Sequence, residues 1–244
     1  MNLSGRLQAI ISMVPENRCT ADIGTDHGFV PLSLVSEGIA GRAIAADVRK
    51  GPLTRAEAHI REAGLADRIE CRLGDGLSVL APGEAEVIVI AGMGGMLMKR
   101  ILEDAPEVVK SARFLVLSPH RDVFELRKYL CAEGMRIEDE TMVSEDGKYY
   151  PVIRASHEEA PSLSETELWF GPVLLEKGPE VFMHFLEEQE GRLLRKIEGL
   201  RGLSPSETQK RALAKKEKML RLTQEAMARD ARTVSSTGTG HLQT

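Results

Sequence analysis

The sequence predicts an α/β fold: a mostly parallel sheet that ends in an antiparallel hairpin, followed by a C-terminal antiparallel helical hairpin. The first observation is that helical patterns alternate with five apolar, strand-like runs, at 19–23, 43–48, 69–73, 87–91 and 114–117. The second is a pair of strand-like runs that flank Glu145-Asp146-Gly147, which is a hairpin signal. The third is a pair of long amphipathic segments near the end of the chain.

The helical patterns fit this fold in chain order. An amphipathic helix opens the chain, and Pro15 ends it. Further helical patterns cover 31–38, 51–63, 95–105 and 121–133. Such alternation predicts parallel strands that are joined by right-handed crossovers and covered by helices on both faces. The runs at 136–143 and 148–155 then form the closing hairpin.

After the hairpin the pattern changes, which sets the expected domain boundaries. Residues 156–170 are polar and contain proline, as expected of a linker. Helical segments at 179–201 and 205–230, broken at Gly202-Leu203-Ser204-Pro205, predict a helical hairpin with coiled-coil-like packing. We therefore expect an α/β domain at 1–158, a linker and helical hairpin at 159–232, and a disordered tail at 233–244.

Composition indicates a globular protein. The chain has 244 residues, of which 42% are hydrophobic, and carries a net charge of −5. No apolar run approaches the roughly 20 residues of a membrane span, and the N-terminus does not resemble a signal peptide, so we expect no membrane partner and a cytoplasmic location. Cys19, Cys71 and Cys131 lie far apart without a CxxC pair, so we expect no metal site.

The charge is distributed unevenly. Residues 1–170 contain 19 basic and 27 acidic residues, whereas residues 171–244 contain 13 and 10. A negative overall charge argues against nucleic-acid binding through bulk electrostatics. The C-terminal part nevertheless offers a basic surface, although a solvated helix face of mixed charge remains an alternative interpretation.

Chemistry-bearing residues follow four of the strand-like runs. The first run ends in Asp22-Ile23-Gly24-Thr25-Asp26-His27-Gly28, the second in Asp47, the third in Gly74-Asp75-Gly76 and the fourth in Ala91-Gly92-Met93-Gly94-Gly95. The carboxyl ends of parallel strands meet at one sheet edge, where α/β proteins bind nucleotide-like ligands. An acid after the second strand can accept both ribose hydroxyls, and Asp75 can accept a hydrogen bond from an adenine amino group.

The first loop favours S-adenosylmethionine over a dinucleotide. A dinucleotide site requires glycines spaced to hold a pyrophosphate at a helix N-terminus. Here Asp26 would repel phosphate, but it suits a ligand with an amino group and a sulfonium cation.

Five segments resemble bacterial tRNA adenine-N1-methyltransferases that act on the adenine at tRNA position 22. These segments are DIGTDHGFVP (22–31), AADVRKGPL (45–53), RLGDGL (72–77), AGMGGMLM (91–98) and EDGKYYPVI (145–153). The resemblance implies a class I, Rossmann-like methyltransferase domain, S-adenosylmethionine as cofactor, tRNA as substrate and a coiled-coil domain that helps to hold the tRNA. The chain departs from the family at Ser118-Pro119-His120, where members usually carry a Gln-Pro-Asn-like turn.

Cofactor-binding and catalytic residues are assigned from the matching motifs and the strand ends, whereas the nucleic-acid-binding candidates are chosen for their positive charge. The candidate cofactor-binding residues are Asp22, Gly24, Thr25, Asp26, His27, Gly28, Asp47, Val48, Gly74, Asp75, Gly76, Ala91, Gly92 and Met93. The candidate catalytic residues are Asp26, His27, Gly92, Met93 and Gly94. The candidate nucleic-acid-binding residues are Arg6, Arg192, Arg195, Lys196, Lys210, Arg211 and Lys215.

The mechanism that we expect relies on holding adenine N1 in line with the methyl group of the sulfonium. The chain lacks the Asn/Asp-Pro-Pro-Tyr/Phe tetrapeptide used on exocyclic amines, whereas a ring nitrogen such as adenine N1 already has an in-plane lone pair. Asp26 is the candidate acceptor for the proton that N6 loses, with a cap on the helix that begins near Phe29 as its alternative role. Phe29 is a candidate for base stacking.

Other functions remain open at this point. The same cofactor domain could methylate a small molecule or a protein, or could be a non-catalytic interaction module. The intact acids at positions 22, 47 and 75 argue against the last of these. The expected oligomeric state is a monomer or a weak dimer.

Overall fold

A seven-stranded mixed sheet forms the centre of the first part of the chain. The structure is a computed structural model that describes residues 3–201 and 206–237. The strands are β1 (Asn17–Ile23), β2 (Ala40–Asp47), β3 (Ile69–Leu73), β4 (Val87–Met93), β5 (Phe114–Pro119), β6 (Arg136–Glu145) and β7 (Lys148–Ser156). Their order across the sheet is β3-β2-β1-β4-β5-β7-β6, with β1 to β5 parallel and β7 antiparallel to both of its neighbours. The predicted fold class is confirmed.

Six α-helices and one short 3-10 helix (Gly76–Val79) accompany this sheet in the described part of the first unit. The α-helices are α1 (Gly5–Ser12), α2 (Phe29–Ser36), α3 (Lys50–Glu62), α4 (Gly95–Glu103), α5 (Pro106–Ser111) and α6 (Val123–Ala132). The single helix predicted at 95–105 is wrong in its boundary, because α4 ends at Glu103 and a separate α5 begins at Pro106. Proline starts a helix well but cannot donate the hydrogen bond that would continue the preceding one.

The central strands are buried on both faces, which explains their continuous apolar runs. Val87 and Val89 of β4 belong to the core cluster that α1, α2 and α3 cover, whereas Ile88 and Ile90 are buried outside that cluster. Successive side chains of a strand point to opposite faces. A sheet that is covered on both sides is typical of parallel α/β proteins.

The strand order reverses between β1 and β4. From β1 the chain proceeds to β2 and β3 on one side, and from β4 it proceeds to β5 on the other. The connections therefore diverge and leave a crevice outside the carboxyl ends of these two strands, where ligands of open α/β sheets bind.

The terminal hairpin turns at Asp146 and Gly147. Both residues have positive φ values, 50° and 68°. Two consecutive left-handed residues are characteristic of the tight turns that match the twist of a β-hairpin, and the Asp-Gly pair favours them. The turn predicted from sequence is thus present between β6 and β7.

The chain divides into two compact units between Ser162 and Leu163. The second unit contains α7 (Glu165–Phe170), α8 (Pro172–Lys177), α9 (Glu180–Arg201) and α10 (Glu207–Thr237). Within it, Phe182, Leu186 and Ile197 of α9 and Ala226 of α10 are buried. Gln189 Nε2 of α9 donates to the buried Thr223 Oγ1 of α10 at 3.1 Å. Both residues lie several turns away from the short connection between the two helices, so the helices run antiparallel.

Two expectations for this region differ from the structure. Residues 165–170, expected within a linker, form α7, because the Ser164 hydroxyl accepts from the Glu167 N–H and the Glu167 carboxylate accepts from the Ser164 N–H. Helix α10 continues to Thr237, so the tail expected from residue 233 does not begin there. The predicted break at 202–205 and residues 238–244 lie outside the described residues.

Candidate functional site

The loop that follows β1 is attached to the end of β2. The backbone N–H groups of Gly24 and Thr25 both donate to the Ala46 carbonyl oxygen, each at 2.8 Å. Gly24, His27 and Gly28 adopt positive φ values of 79°, 64° and 71°. These left-handed residues turn the chain sharply from β1 into α2, so the loop remains at the carboxyl edge of the sheet.

A cavity of about 370 Å³ lies at this edge. Among the residues predicted for the site, it is lined by Arg6, Asp22, Gly24, Asp26, Asp47, Val48, Gly74, Asp75, Gly76, Ala91, Gly92 and Met93. Thr25, His27, Gly28 and Gly94 do not line it. The four strand ends that the sequence singled out therefore contribute to one cavity, which is the arrangement expected from parallel strands.

Two of the lining carboxylates are buried. Asp22 and Asp47 are each 5% exposed. Burial raises the pKa of Asp22 to about 6, and the negative charge of Asp47 adds to the rise. Asp47 Oδ1 accepts a hydrogen bond from the Arg49 backbone N–H at 2.6 Å, which fixes the carboxylate at the end of β2. A cation in the cavity would favour the ionised form of Asp22.

Asp26 is accessible from the cavity and from solvent. Its side chain is 65% exposed, and Oδ1 lies 3.5 Å from Arg55 Nη2 and 3.5 Å from His27 Nε2. The N-cap of α2 is Gly28, and no side chain makes a capping hydrogen bond there. The alternative in which Asp26 caps this helix is therefore wrong, because the left-handed Gly28 starts the helix instead.

Three nearly parallel rings support the loop from one side. The ring centroids of His27 and Phe29 lie 5.4 Å apart, those of Phe29 and His59 also 5.4 Å, and those of His27 and His59 5.8 Å. His59 Nδ1 also lies 2.9 Å from the His27 carbonyl oxygen and must donate to it. His27 is therefore held by packing beside the cavity, and Phe29, which lines the cavity, already stacks on two imidazoles.

The loop after β4, taken as Gly92-Met93-Gly94-Gly95 from the end of the strand into α4, packs against the loop after β5. Gly92 has a φ of 78°. The Gly95 N–H donates to the Arg121 carbonyl oxygen at 2.8 Å, and the His120 N–H donates to the Met93 carbonyl oxygen at 2.9 Å. These two bonds hold the loops after β4 and β5 together.

The sequence singled out Ser118-Pro119-His120 as unusual but assigned it no role. In the structure His120 lines the cavity, with Nε2 at 2.7 Å from Arg6 Nη1. Its ring makes an edge contact with Tyr150, with 5.3 Å between ring centroids. No sequence signal could join these residues, because they come from α1, from the loop after β5 and from β7.

The six nucleic-acid candidates of the second unit occupy α9 and α10. Arg192, Arg195, Lys196, Lys210, Arg211 and Lys215 are all exposed. Lys210 pairs with Glu207 at 2.8 Å, one turn earlier on the same helix. Exposure of all six makes them available to a partner, and the glutamates between them keep a solvated helix face as the alternative.

The described residues contain neither a candidate metal cluster nor a candidate membrane-spanning helix. No group of three or more His, Cys, Asp or Glu side chains among them could hold a metal ion. None of the helices in the described ranges is long and apolar enough to cross a membrane.

Comparisons with known proteins agree that the chain contains a methyltransferase domain. The family model for a methyltransferase domain matches residues 3–153. The chain is 38% identical over 155 residues to the curated tRNA (adenine(22)-N(1))-methyltransferase of Bacillus subtilis. That match covers 64% of this chain and 65% of the relative, slightly under two thirds of its length.

Solved structures extend the similarity to the second unit. The Bacillus subtilis tRNA methyltransferase TrmK is 31% identical, with a TM-score of 0.84 over 93% of this chain and 99% of that one. A Streptococcus pneumoniae protein solved in complex with S-adenosyl-L-methionine is 29% identical, with a TM-score of 0.82 over 93% of this chain and all of that one.

Proposed function

Because the chain belongs to the methyltransferase-domain family, and within it to the group of tRNA (adenine(22)-N1)-methyltransferases, we propose that it methylates N1 of adenine 22 in tRNA with S-adenosylmethionine as donor. The observation that carries the proposal is that Asp22, Asp47, Asp75 and the loop after β4 line one cavity. These are the groups that a nucleoside with a cationic tail requires.

The cavity fits this donor. Its volume lies in the range of about 300–1,000 Å³ that is typical of small-molecule sites. Asp47 would hold the ribose hydroxyls and Asp75 the adenine, while a side chain at position 24 would collide with the Met93 methyl. The ionised form of Asp22 suits the positive charges of the donor. When bound, S-adenosylmethionine supplies an electrophilic methyl group on a sulfonium.

The protein's own part in the reaction is then alignment and proton acceptance. The target adenine must be unpaired, because N1 lies on its Watson–Crick edge. We assign the shaping of the pocket beside the methyl group to Gly92 and Met93, which line the cavity, with His27 and Gly94 supporting them from outside it. We assign the acceptance of the N6 proton to Asp26. The exposure of Asp26 allows the proton to pass on to solvent.

The tRNA body requires a larger surface than the cavity. We assign this contact to the six exposed basic residues of α9 and α10, because contacts between basic side chains and backbone phosphates contribute most of the affinity for nucleic acid. A monomer or weak dimer would suffice, since the proposed contacts come from one chain. We also propose a cytoplasmic location, because tRNA is found there.

The proposed function predicts a specific product. We expect purified protein with labelled S-adenosylmethionine and an unmodified tRNA transcript to yield 1-methyladenosine at position 22, read by nucleoside analysis and by a reverse-transcription stop. A transcript with guanine at position 22 is the control and should remain unlabelled. Labelled tRNA without 1-methyladenosine would contradict the target atom. The absence of any labelling would favour a small-molecule or protein substrate, or a non-catalytic role.

The role of Asp26 predicts a separation of binding from turnover. We expect Asp26→Ala and Asp26→Asn to lower kcat by about 10²-fold, as for a lost general base, and to leave donor binding by calorimetry nearly unchanged. Asn retains acceptor oxygen but cannot take a proton. Asp67→Ala, at an exposed position that does not line the cavity, is the control. If donor affinity falls in parallel with kcat, Asp26 belongs to the cofactor site instead.

A further inference from the structure

Arg6 brings a positive charge to the cavity. It lines the cavity, and among the described residues it forms no ion pair with a carboxylate. Its Nε is buried and has no hydrogen-bond partner within the part of the chain that the structure describes. A guanidinium has five N–H donors and cannot deprotonate, so this position carries a fixed positive charge with unused donors.

Two side chains determine where the Arg6 guanidinium lies. Nη1 donates to His120 Nε2 at 2.7 Å, and Cζ lies 5.2 Å from the centre of the Tyr150 ring, a cation–π distance. A guanidinium can only donate, so His120 Nε2 accepts and the ring is neutral, with its proton on Nδ1. An arginine that is fixed in this way loses less side-chain entropy when it binds a ligand.

The guanidinium faces the loop after β4. A Cβ atom added to Gly92 would lie 3.8 Å from Arg6 Nη2 and 3.8 Å from His120 Nε2. The fixed charge therefore lies over the backbone of the loop that we assigned to the reacting groups. The other lining side chains include four carboxylates, and the second lining arginine, Arg49, lies 3.5 Å from Asp47.

We propose that Arg6, held in position by His120 and Tyr150, binds an anionic oxygen group of a substrate. The group is either a phosphodiester of tRNA near the target nucleotide or the carboxylate of the methyl donor, because both present the planar oxygen pair that a guanidinium recognises. This inference rests on the proposed function for the identity of these ligands. His120 and Tyr150 are positioning residues, since they act through Arg6.

The arrangement makes anion binding sensitive to pH. Burial, together with the charges of Arg6 and Lys148, lowers the pKa of His120 below its usual value. The other polar groups near His120 come from two elements. Lys148 and Tyr150 belong to β7, and Arg121 and Asp122 belong to the histidine's own loop, where their side chains lie 3.5 Å from each other. Protonated His120 cannot accept from Arg6 and repels it, so acidification releases the guanidinium.

Binding measurements without turnover test the proposal. We expect Arg6→Met to raise the dissociation constant for either S-adenosylhomocysteine or unmodified tRNA by about 10- to 100-fold. This is the loss of affinity expected when a charge-assisted hydrogen bond is removed. Calorimetry with S-adenosylhomocysteine reports the carboxylate, and filter binding of unmodified tRNA reports the phosphate. Arg61→Met, an exposed arginine outside the cavity, is the control. If Arg6→Met changes neither constant, the proposal is wrong, even if methylation is lost.

The positioning role of His120 has its own readout. We expect His120→Gln, which keeps an acceptor, to bind as the wild type does at pH 8, and His120→Phe to weaken the affected constant about 3- to 10-fold. When the pH falls from 8 to 5.5, the ligand affinity of the wild type should fall more than that of His120→Gln, because Gln does not titrate. Any effect of Asp22 on affinity is common to both proteins. Equal pH profiles would contradict the positioning role. A wild type that binds both ligands but does not methylate would reject only the proposed function.

Discussion

Substitution of Gly95 by alanine is expected to lower kcat/KM for methyl transfer by about 10²-fold, the loss that follows from displacing a site by about 1 Å. An added Cβ would lie 2.9 Å from the Asp122 carbonyl carbon, 3.1 Å from the Arg121 carbonyl oxygen and closer still to the Asp122 carbonyl oxygen. These are backbone atoms, which cannot rotate away. The loop after β4 and the loop after β5 must therefore separate, and Gly92 and His120 move with them.

Gly51→Ala is the matched control for this experiment. A Cβ atom at Gly51, in α3, meets nothing within 4 Å, so alanine there should stabilise the helix by about 0.5–1 kcal/mol and preserve activity. Steady-state kinetics give the effect on activity, and calorimetry of donor binding tests the cavity independently of turnover. A Gly95→Ala protein with wild-type kcat/KM would show that the two loops can separate without consequence.

Glu140→Ala is expected to lower the free energy of unfolding by about 3–5 kcal/mol. Arg127 and Glu140 form an ion pair with Nε and Oε1 2.8 Å apart, and their side chains are 1% and 0% exposed. Removal of the carboxylate takes a charge-assisted bond from a guanidinium that remains buried. Because the pair joins α6 to β6, the loss affects the antiparallel edge of the sheet.

Two comparisons separate this effect from a general loss of charge. Glu107→Gln disrupts a pair with Lys110 whose side chains are 75% and 67% exposed, and should change stability by less than about 1 kcal/mol. The double substitution Arg127→Met with Glu140→Leu should recover part of the loss, since it removes both charges. Denaturant unfolding of the four proteins provides the measurement. Equal losses for Glu140→Ala and Glu107→Gln would contradict the importance of burial.

The sheet could be predicted because its signals are local. Each parallel strand is an apolar run, and Gly24, Asp47 and Gly92 mark where three of them end. Asp146-Gly147 specifies the hairpin turn through its own backbone preference. The juxtaposition of the strand ends then follows from the rule that carboxyl ends of parallel strands share one edge.

Other features of the structure could not be predicted from the sequence. They depend on contacts between residues that are far apart in the chain, or on sequence patterns that are too short to be recognised. His120 has no role until Arg6 and Tyr150 lie beside it, and His59 is unremarkable until its ring packs on Phe29. Helix α7 had a readable signal in Ser164 and Glu167, a capping box, but the helix is too short to show periodicity. Asp26 looked like a helix cap because Asp often is one, whereas a left-handed glycine two residues later starts α2.

The position of β7 between β5 and β6 has a consequence for the order of folding. In the described sheet β6 pairs only with β7, although β6 precedes β7 in the chain. During synthesis β6 must therefore wait for the next strand before it joins the sheet. Tyr150 lies on that same strand and contacts Arg6 of the first helix, so this contact joins residues that are far apart in the sequence. The pairing of β6 and the contact between Arg6 and Tyr150 consequently both depend on the docking of β7.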